Sequence, residues 1–447
     1  MLCLGAGRRQ RHTAGMVAAQ RKAFFPMPAE PARRFLFLQG PPGPFFRLLG
    51  AKLAAAGATC LRLNLNGGDA HDWPRLADGR RTPAWRGPAH RWPPFIEAFL
   101  RDHAITDLVL FGDCRPLHMV ARQMAQLAGI RVHVFEEGYI RPNWLTLEQG
   151  GVNGHSPLLR DAAALLAAGT CLPPPPDLPP IGAHMGRRVA DSWGYFGHML
   201  LRAPLYPFHR SHRPGSIVLE GLGWALKYLR RAARQRQTER ALAGLAGRPY
   251  FLFPLQLSAD YQIRAHSPFA HMAQAADHVL ASFAAHAPAD ALLVVKDHPL
   301  DATLAGWGGF LARRARALGL AARIIHVPGG DLAALALMAR GVVVVNSTAA
   351  TFALAEGVAV KALGTALYDL PGITHQGPLA SFWAAPQAPD PQLYGSFCRV
   401  LHRHCLVRGG LASRSAIAIL VQNAAARLLA PTLAQTAQPR SPIPAAA

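Results

Sequence analysis

The chain has 447 residues, 51% hydrophobic and 16% charged, which is enough apolar material for two ordinary domains and excludes a largely disordered protein. Lys and Arg total 47 against 25 Asp and Glu, a formal charge of +22, so the expected partner is anionic: nucleic acid, anionic lipid or a phosphorylated substrate. No uncharged apolar run reaches 18 residues, so no transmembrane helix is expected.

Residues 1–30 form a basic arm with Arg8, Arg9, Arg11, Arg21 and Lys22. Its apolar stretches are too short for a signal-peptide core, and Met16 is an alternative start. Near-continuous apolar runs then recur at 35–39, 60–66, 107–113 and 132–136, separated by Ala-rich stretches of helical length. Such runs suit parallel strands covered by helices on both faces, and they predict a first Rossmann-like domain over 31–170. Prolines at 173–176 and 179–180 open a stiff break. The segment that follows, within 171–245, is basic and aromatic: 186–240 carries eleven Lys and Arg against three acids. Further strand-like runs at 250–257, 291–296, 323–327 and 342–345 predict a second Rossmann-like domain over 246–430, closed by an amphipathic helix near 411–430. The tail, 431–447, is rich in Pro and Ala and is expected to be disordered. The six cysteines are scattered, with no Cys-x-x-Cys pair and no metal-spaced histidines nearby, as in a reduced cytoplasmic protein.

Four clusters fall at the carboxyl ends of predicted strands, where open parallel sheets bind ligands. Glu136-Glu137-Gly138 can place a carboxylate in a cleft while the chain turns, or form a solvated turn. Gln256 to Asp260 is a polar loop whose one acid, Asp260, serves either chemistry or a helix N-cap. In Lys296-Asp297-His298-Pro299, the Lys and His can stabilise a departing phosphate, although a lone His is usually structural. Asn346-Ser347-Thr348 opens a helix and offers donors to an anion; plain capping needs the same residues. Together and in this order the clusters are far more specific than any one of them.

The set resembles the capsule polysaccharide synthesis family, once labelled capsule export proteins and now understood as Kdo transferases. The resemblance runs from about residue 35 to 377 and is strongest in 136–153, 254–263, 296–299 and 346–377. With one catalytic module the chain is similar to the short KpsS-type members. The acid-acid-Gly and His-Pro pairing is also similar to that of bacterial sialyltransferases. One departure is Ala349-Ala350, where the family usually has a glycine near the Asn-Ser-Thr run.

The resemblance implies an α/β, GT-B-like fold of two Rossmann-like, doubly wound domains facing a cleft. It implies a retaining β-Kdo transferase that uses CMP-β-Kdo and a phosphatidylglycerol or lyso-phosphatidylglycerol acceptor, starting the poly-Kdo linker of a capsule. It further implies Asp260 as nucleophile, Glu137 as acid/base with Glu136 as substitute, and His298 at the departing phosphate. Gln256, Lys296, Asn346, Ser347 and Thr348 then hold the donor, and Gly138 and Pro299 are secondary candidates. No metal or other cofactor is expected, since a single phosphate leaves and the sequence has no Asp-x-Asp motif.

In 222–236, Leu222, Ala225, Leu226, Leu229 and Ala233 fall near one helical face, with Lys227, Arg230, Arg231 and Arg234 largely elsewhere. A helix of this kind suits the anionic surface of the inner membrane, reached from the cytoplasm, each basic residue adding about 1 kcal/mol. The alternative is an ordinary helix with a solvated basic face. The remaining alternatives are a transferase for another CMP-linked ulosonic acid such as sialic acid, or a non-catalytic component of the capsule export complex. No nucleic-acid partner is expected, because no recognisable module accompanies the charge.

Overall fold

The computed structural model describes residues 32–182, 184–211, 217–245, 247–257, 261–301 and 306–430. The basic arm, the tail and Asp260 lie outside these residues. The first sheet is built from β1 (Arg34–Phe37), β2 (Thr59–Arg62), β3 (Asp107–Phe111), β4 (Arg131–Glu137) and β5 (Trp144–Gln149). The second contains β6 (Tyr250–Pro254), β7 (Leu292–Lys296), β8 (Ile324–Val327), β9 (Gly341–Val344) and β10 (Val360–Ala362). A last strand, β11 (Leu406–Arg408), returns to the first sheet, giving the orders β11-β5-β4-β3-β1-β2 and β10-β9-β6-β7-β8.

All pairings of the second sheet are parallel; in the first, β5 and β11 add an antiparallel edge. Side-chain alternation explains why both sheets are sandwiched. Phe35, Phe37, Val109 and Phe135 point into one core, while Leu36, Leu108, Leu110 and Val134 point into another on the opposite face. The second sheet divides likewise, with Leu252, Val294 and Val344 on one face and Phe251, Phe253 and Val295 on the other. From Arg33 onward the chain is one unit, a GT-B-like pair of doubly wound Rossmann-like sheets.

In each sheet the strand order reverses once, between β1 and β3 and between β6 and β9. Ligands bind at such switch points because the connecting loops part there and leave a crevice beyond the strand ends. Residues 112–114 end one switch strand; Gln256 and Asn346 follow the two strands of the other.

Two expectations need correction. The closing helix, Arg414–Leu429, does not complete the second sheet: Ile417, Leu420, Ala424 and Leu428 share a core with Phe45, Phe46 and Leu49 of the first. Its apolar face matches the helix Phe45–Ala55, and β11 just before it pairs with β5. The single helix expected over 222–236 is two, Ile217–Leu229 and Arg231–Ala243, broken where Arg230 leaves helical geometry (φ −87°, ψ 5°).

The basic middle segment is joined to the first sheet through the helix Met185–Leu201. Its Tyr195 hydroxyl accepts from Gln39 Nε2 (2.6 Å) and Asn66 Nδ2 (2.9 Å) and donates to Asp69 (3.1 Å). Gly67 and Gly68 allow this approach: a Cβ on either would lie within 2.5–2.7 Å of a carbonyl oxygen of that helix.

Candidate active site

Strand β4 carries Glu136 and Glu137 to the carboxyl edge of the first sheet. Gly138 is needed for the turn that follows, because a Cβ there would sit 2.1 Å from the Trp144 carbonyl oxygen. Tyr139 anchors the turn: its buried hydroxyl donates to Glu148 (2.6 Å) and accepts from the Asn153 amide (2.7 Å). The turn is therefore rigid support for the two acids. Gly138 acts through backbone geometry and offers no side chain to a substrate.

The two acids have opposite electrostatics. Burial pushes the Glu136 carboxyl up to about 7, reinforced by the charge of Glu137 and resisted by the Glu137 amide, which donates to it at 3.0 Å. Burial acts on Glu137 as well, but Arg188 and Arg141 outweigh it and hold this carboxyl below its ordinary value. Arg188, from the Met185–Leu201 helix, forms an ion pair with Glu137. Near neutral pH Glu136 therefore exchanges a proton readily, while Glu137 stays ionised.

In the second sheet, β7 ends in Lys296 and passes into the His298 loop. Burial lowers the His298 imidazole to about 4; Asp301 opposes this, and Arg141, Lys296 and Lys227 reinforce it. His298 is thus neutral at pH 7. Its Nδ1 accepts from the Leu300 amide (3.1 Å), which puts the ring proton on Nε2 and makes that atom a hydrogen-bond donor. Arg141 acts on both Glu137 and His298, so the loop after β4 and the loop after β7 share one electrostatic neighbourhood. Burial also lowers the Lys296 ammonium, opposed mainly by Asp297. Asp297 itself is structural, bound to His326 Nε2 (2.7 Å) and Arg234 (3.2 Å).

Gln256 and Asn346 form a reciprocal pair across the switch point. Gln256 Nε2 donates to Asn346 Oδ1 (2.9 Å), and the Asn346 amide donates to Gln256 Oε1 (3.1 Å). Asn346 Nδ2 also reaches the Gln262 carbonyl at 3.0 Å. These side chains join the segments after β6 and β9 to the helix Tyr261–His266. Ser347 Oγ accepts from the Ala349 amide (3.1 Å), a local turn, whereas the Thr348 hydroxyl is half-exposed. Pro299 offers only its carbonyl, which accepts from Lys227.

Beside this edge lies a cavity of about 550 Å³, walled in part by Arg160, His266, Ser267, Thr365 and Asp369. Glu136, Glu137 and His298 do not line it. The sequence assigned no role to these wall residues, nor to Arg141 and Arg188, because they are spread over five segments. Arg141, Thr365 and Asp369 stood inside segments of the resemblance, but without a role.

Residues 106–411 match the family described as capsule polysaccharide biosynthesis protein. The chain is 33% identical over 370 residues to the Capsule polysaccharide export protein KpsS of Escherichia coli, covering 82% of this chain and 93% of that one. It is 34% identical over 380 residues to the Capsule polysaccharide modification protein LipB of Neisseria meningitidis serogroup B, covering 83% and 90%. Among solved structures it is similar to Thermosulfurimonas dismutans KpsC, beta Kdo 2,7 transferase, at 14% identity and a TM-score of 0.40, over 87% of this chain and 99% of that one. The extent of the family match and the two relatives above 30% identity place the chain in the capsule polysaccharide biosynthesis protein family.

Proposed function

We propose that the chain is a retaining glycosyltransferase that moves Kdo from CMP-β-Kdo to a phosphatidylglycerol-type lipid and so begins the poly-Kdo linker of a capsular polysaccharide. The observation that carries this is the pair of adjacent carboxylates with separated proton affinities, one of which shares the influence of Arg141 with a neutral His that has one N–H to donate. That combination suits acid/base chemistry at a centre that expels an anion.

Asp260 attacks the anomeric carbon as the bond to the CMP phosphate breaks, and CMP departs as an anion. The acceptor hydroxyl then displaces Asp260, giving its proton to Glu136; two inversions give net retention. Glu136 takes the acid/base role in place of Glu137, which its ion pair with Arg188 keeps ionised. His298 donates to the leaving phosphate, Lys296 adds positive charge, and the Thr348 hydroxyl contributes a donor. Protein donors suffice for a single phosphate, so no divalent ion is required at that position.

Access to a lipid acceptor is supported by apolar side chains left in water. Val189, Trp193 and Leu200 form an exposed row on the helix Met185–Leu201, and Leu222 and Leu229 are exposed on Ile217–Leu229. Large exposed apolar patches mark interaction surfaces, and basic residues flank these rows. We place the protein peripherally on the cytoplasmic face of the inner membrane; among the described residues no helix is long and apolar enough to cross a membrane. Trp193→Ser with Leu200→Ser is expected to reduce flotation with anionic vesicles at unchanged melting temperature; equal flotation would remove the role of this helix.

The purified chain, CMP-Kdo generated in situ and fluorescent phosphatidylglycerol should yield a product heavier by one Kdo by mass spectrometry. Product with CMP-sialic acid instead would change the sugar. No transfer, together with normal capsule assembly by Asp260→Ala, would favour a non-catalytic export component.

A further inference from the structure

We infer that Cys114, His155 and His266 form a transition-metal site, of a kind that takes zinc, tying the loop after β3 to the helix Tyr261–His266. One Sγ and two imidazole nitrogens lie within 4.8 Å of one another. Cys114 Sγ is 3.3 Å from His266 Nε2, and the two imidazole centroids are 5.1 Å apart at 77°. Ligands held at about 2.0–2.3 Å around a tetrahedral zinc stand roughly 3.3–3.6 Å from one another, so small rotations complete the set.

A second layer supports the first. Asp113, fully buried, sits 3.0 Å from His155 Nδ1 and leaves the other ring nitrogen, Nε2, for a metal; metal-binding His residues are typically oriented in this way. Asp113 is itself fixed by the Val152 amide (3.1 Å) and Arg122 (3.2 Å). His266 is held from behind: its carbonyl accepts from the Thr365 amide (2.8 Å), and its ring lies over Gly154, where a Cβ would come within 2.3 Å of Nδ1. Thiol and imidazole select zinc and its neighbours over magnesium or calcium. The exposed His155 gives an entry route, and His266 also borders the cavity of about 550 Å³. On binding, the Cys114 S–H bond breaks, sulfur binds the metal, and the proton passes to solvent.

The test is cobalt(II) titration of the chelator-stripped, dialysed full chain. One equivalent should produce a thiolate-to-cobalt charge-transfer band in the near ultraviolet with strong visible bands, both abolished by equimolar zinc. Cys114→Ser should lose the charge-transfer band. Asp113→Asn should weaken binding roughly 10–100-fold. His155→Ala, altering an exposed side chain that leaves the fold intact by circular dichroism, should weaken it at least as much, and His90→Ala should change nothing. A chain that gives no charge-transfer band at one equivalent, or a band that survives Cys114→Ser, overturns the site and reduces the cluster to a thiol–imidazole hydrogen bond. The readout is spectroscopic, so it stands whether or not sugar transfer is observed.

Discussion

Glu136 and Glu137 are consecutive on one strand, so they point to opposite sides, and their surroundings differ accordingly. Glu137 meets two guanidinium groups, whereas Glu136 meets burial and a neighbouring negative charge. A carboxyl whose folded value is raised binds protons more tightly in the folded state. Glu136 therefore costs stability as pH rises from 4.5 toward 7. Glu136→Gln is expected to abolish transfer yet stabilise the fold above pH 7 by on the order of 1–2 kcal/mol, with little gain at pH 4.5. Thermal unfolding at both pH values checks this; a loss of stability at pH 8 would contradict it. Activity of the unsubstituted chain should rise with pH through about 7 as Glu136 becomes a base, and whatever activity Glu137→Gln retains should keep this limb. His298 has the opposite linkage: its folded value is depressed, so its contribution is complete above pH 6.5 and is lost as pH falls toward 4.

At the scale of elements, the two helices Ile217–Leu229 and Arg231–Ala243 hold the loop after β7. Lys227 donates to the Pro299 and Asp301 carbonyls, and Arg234 reaches Asp297 and the Pro328 carbonyl (2.8 Å). Basic residues expected to face a membrane thus partly fasten the segment that carries His298. Lys227→Met should loosen that loop and raise KM for the CMP-sugar several-fold with a smaller change in kcat, measured by steady-state kinetics. An unchanged KM would mean that the loop keeps its shape without this contact. The exposed apolar rows on the same segment remain for the lipid surface.

For the whole molecule, two long-range features decide stability. Asp107, fully buried at the start of β3, joins Arg33, Arg131 (2.8 and 2.9 Å) and His133 (2.7 Å). Burial alone would raise this carboxyl; the bonds from Arg131, His133 and Arg33 hold it well below the usual range. Asp107→Ala removes the acceptor that Arg33, Arg131 and His133 share and should cost about 3–5 kcal/mol, read from denaturant unfolding. The second feature is the return of the chain to the first sheet. Truncation after residue 404 removes β11 and the Arg414–Leu429 helix and uncovers Phe45, Phe46 and Leu49. The shortened chain should be aggregated or rapidly proteolysed, whereas removal of 431–447 alone should be tolerated.

The order of apolar runs and acid, His-Pro and Asn-Ser-Thr clusters was enough to specify two parallel sheets and a family resemblance, because parallel strands buried on both faces and strand-end motifs are local signals. Strand β5, with polar Thr146 and Glu148 among its buried positions, and the three-residue β11 and β10 carry weak local signals, and their pairing was settled only by contacts distant in the chain. The same holds at the site. Residue types at 136, 137 and 298 were visible as chemistry, but which acid holds a proton depends on Arg188 and Arg141 arriving from other segments. Cys114, His155 and His266 had no shared spacing to reveal them, since electrostatic and ligand geometry act through space and sequence periodicity reports only neighbours along the chain.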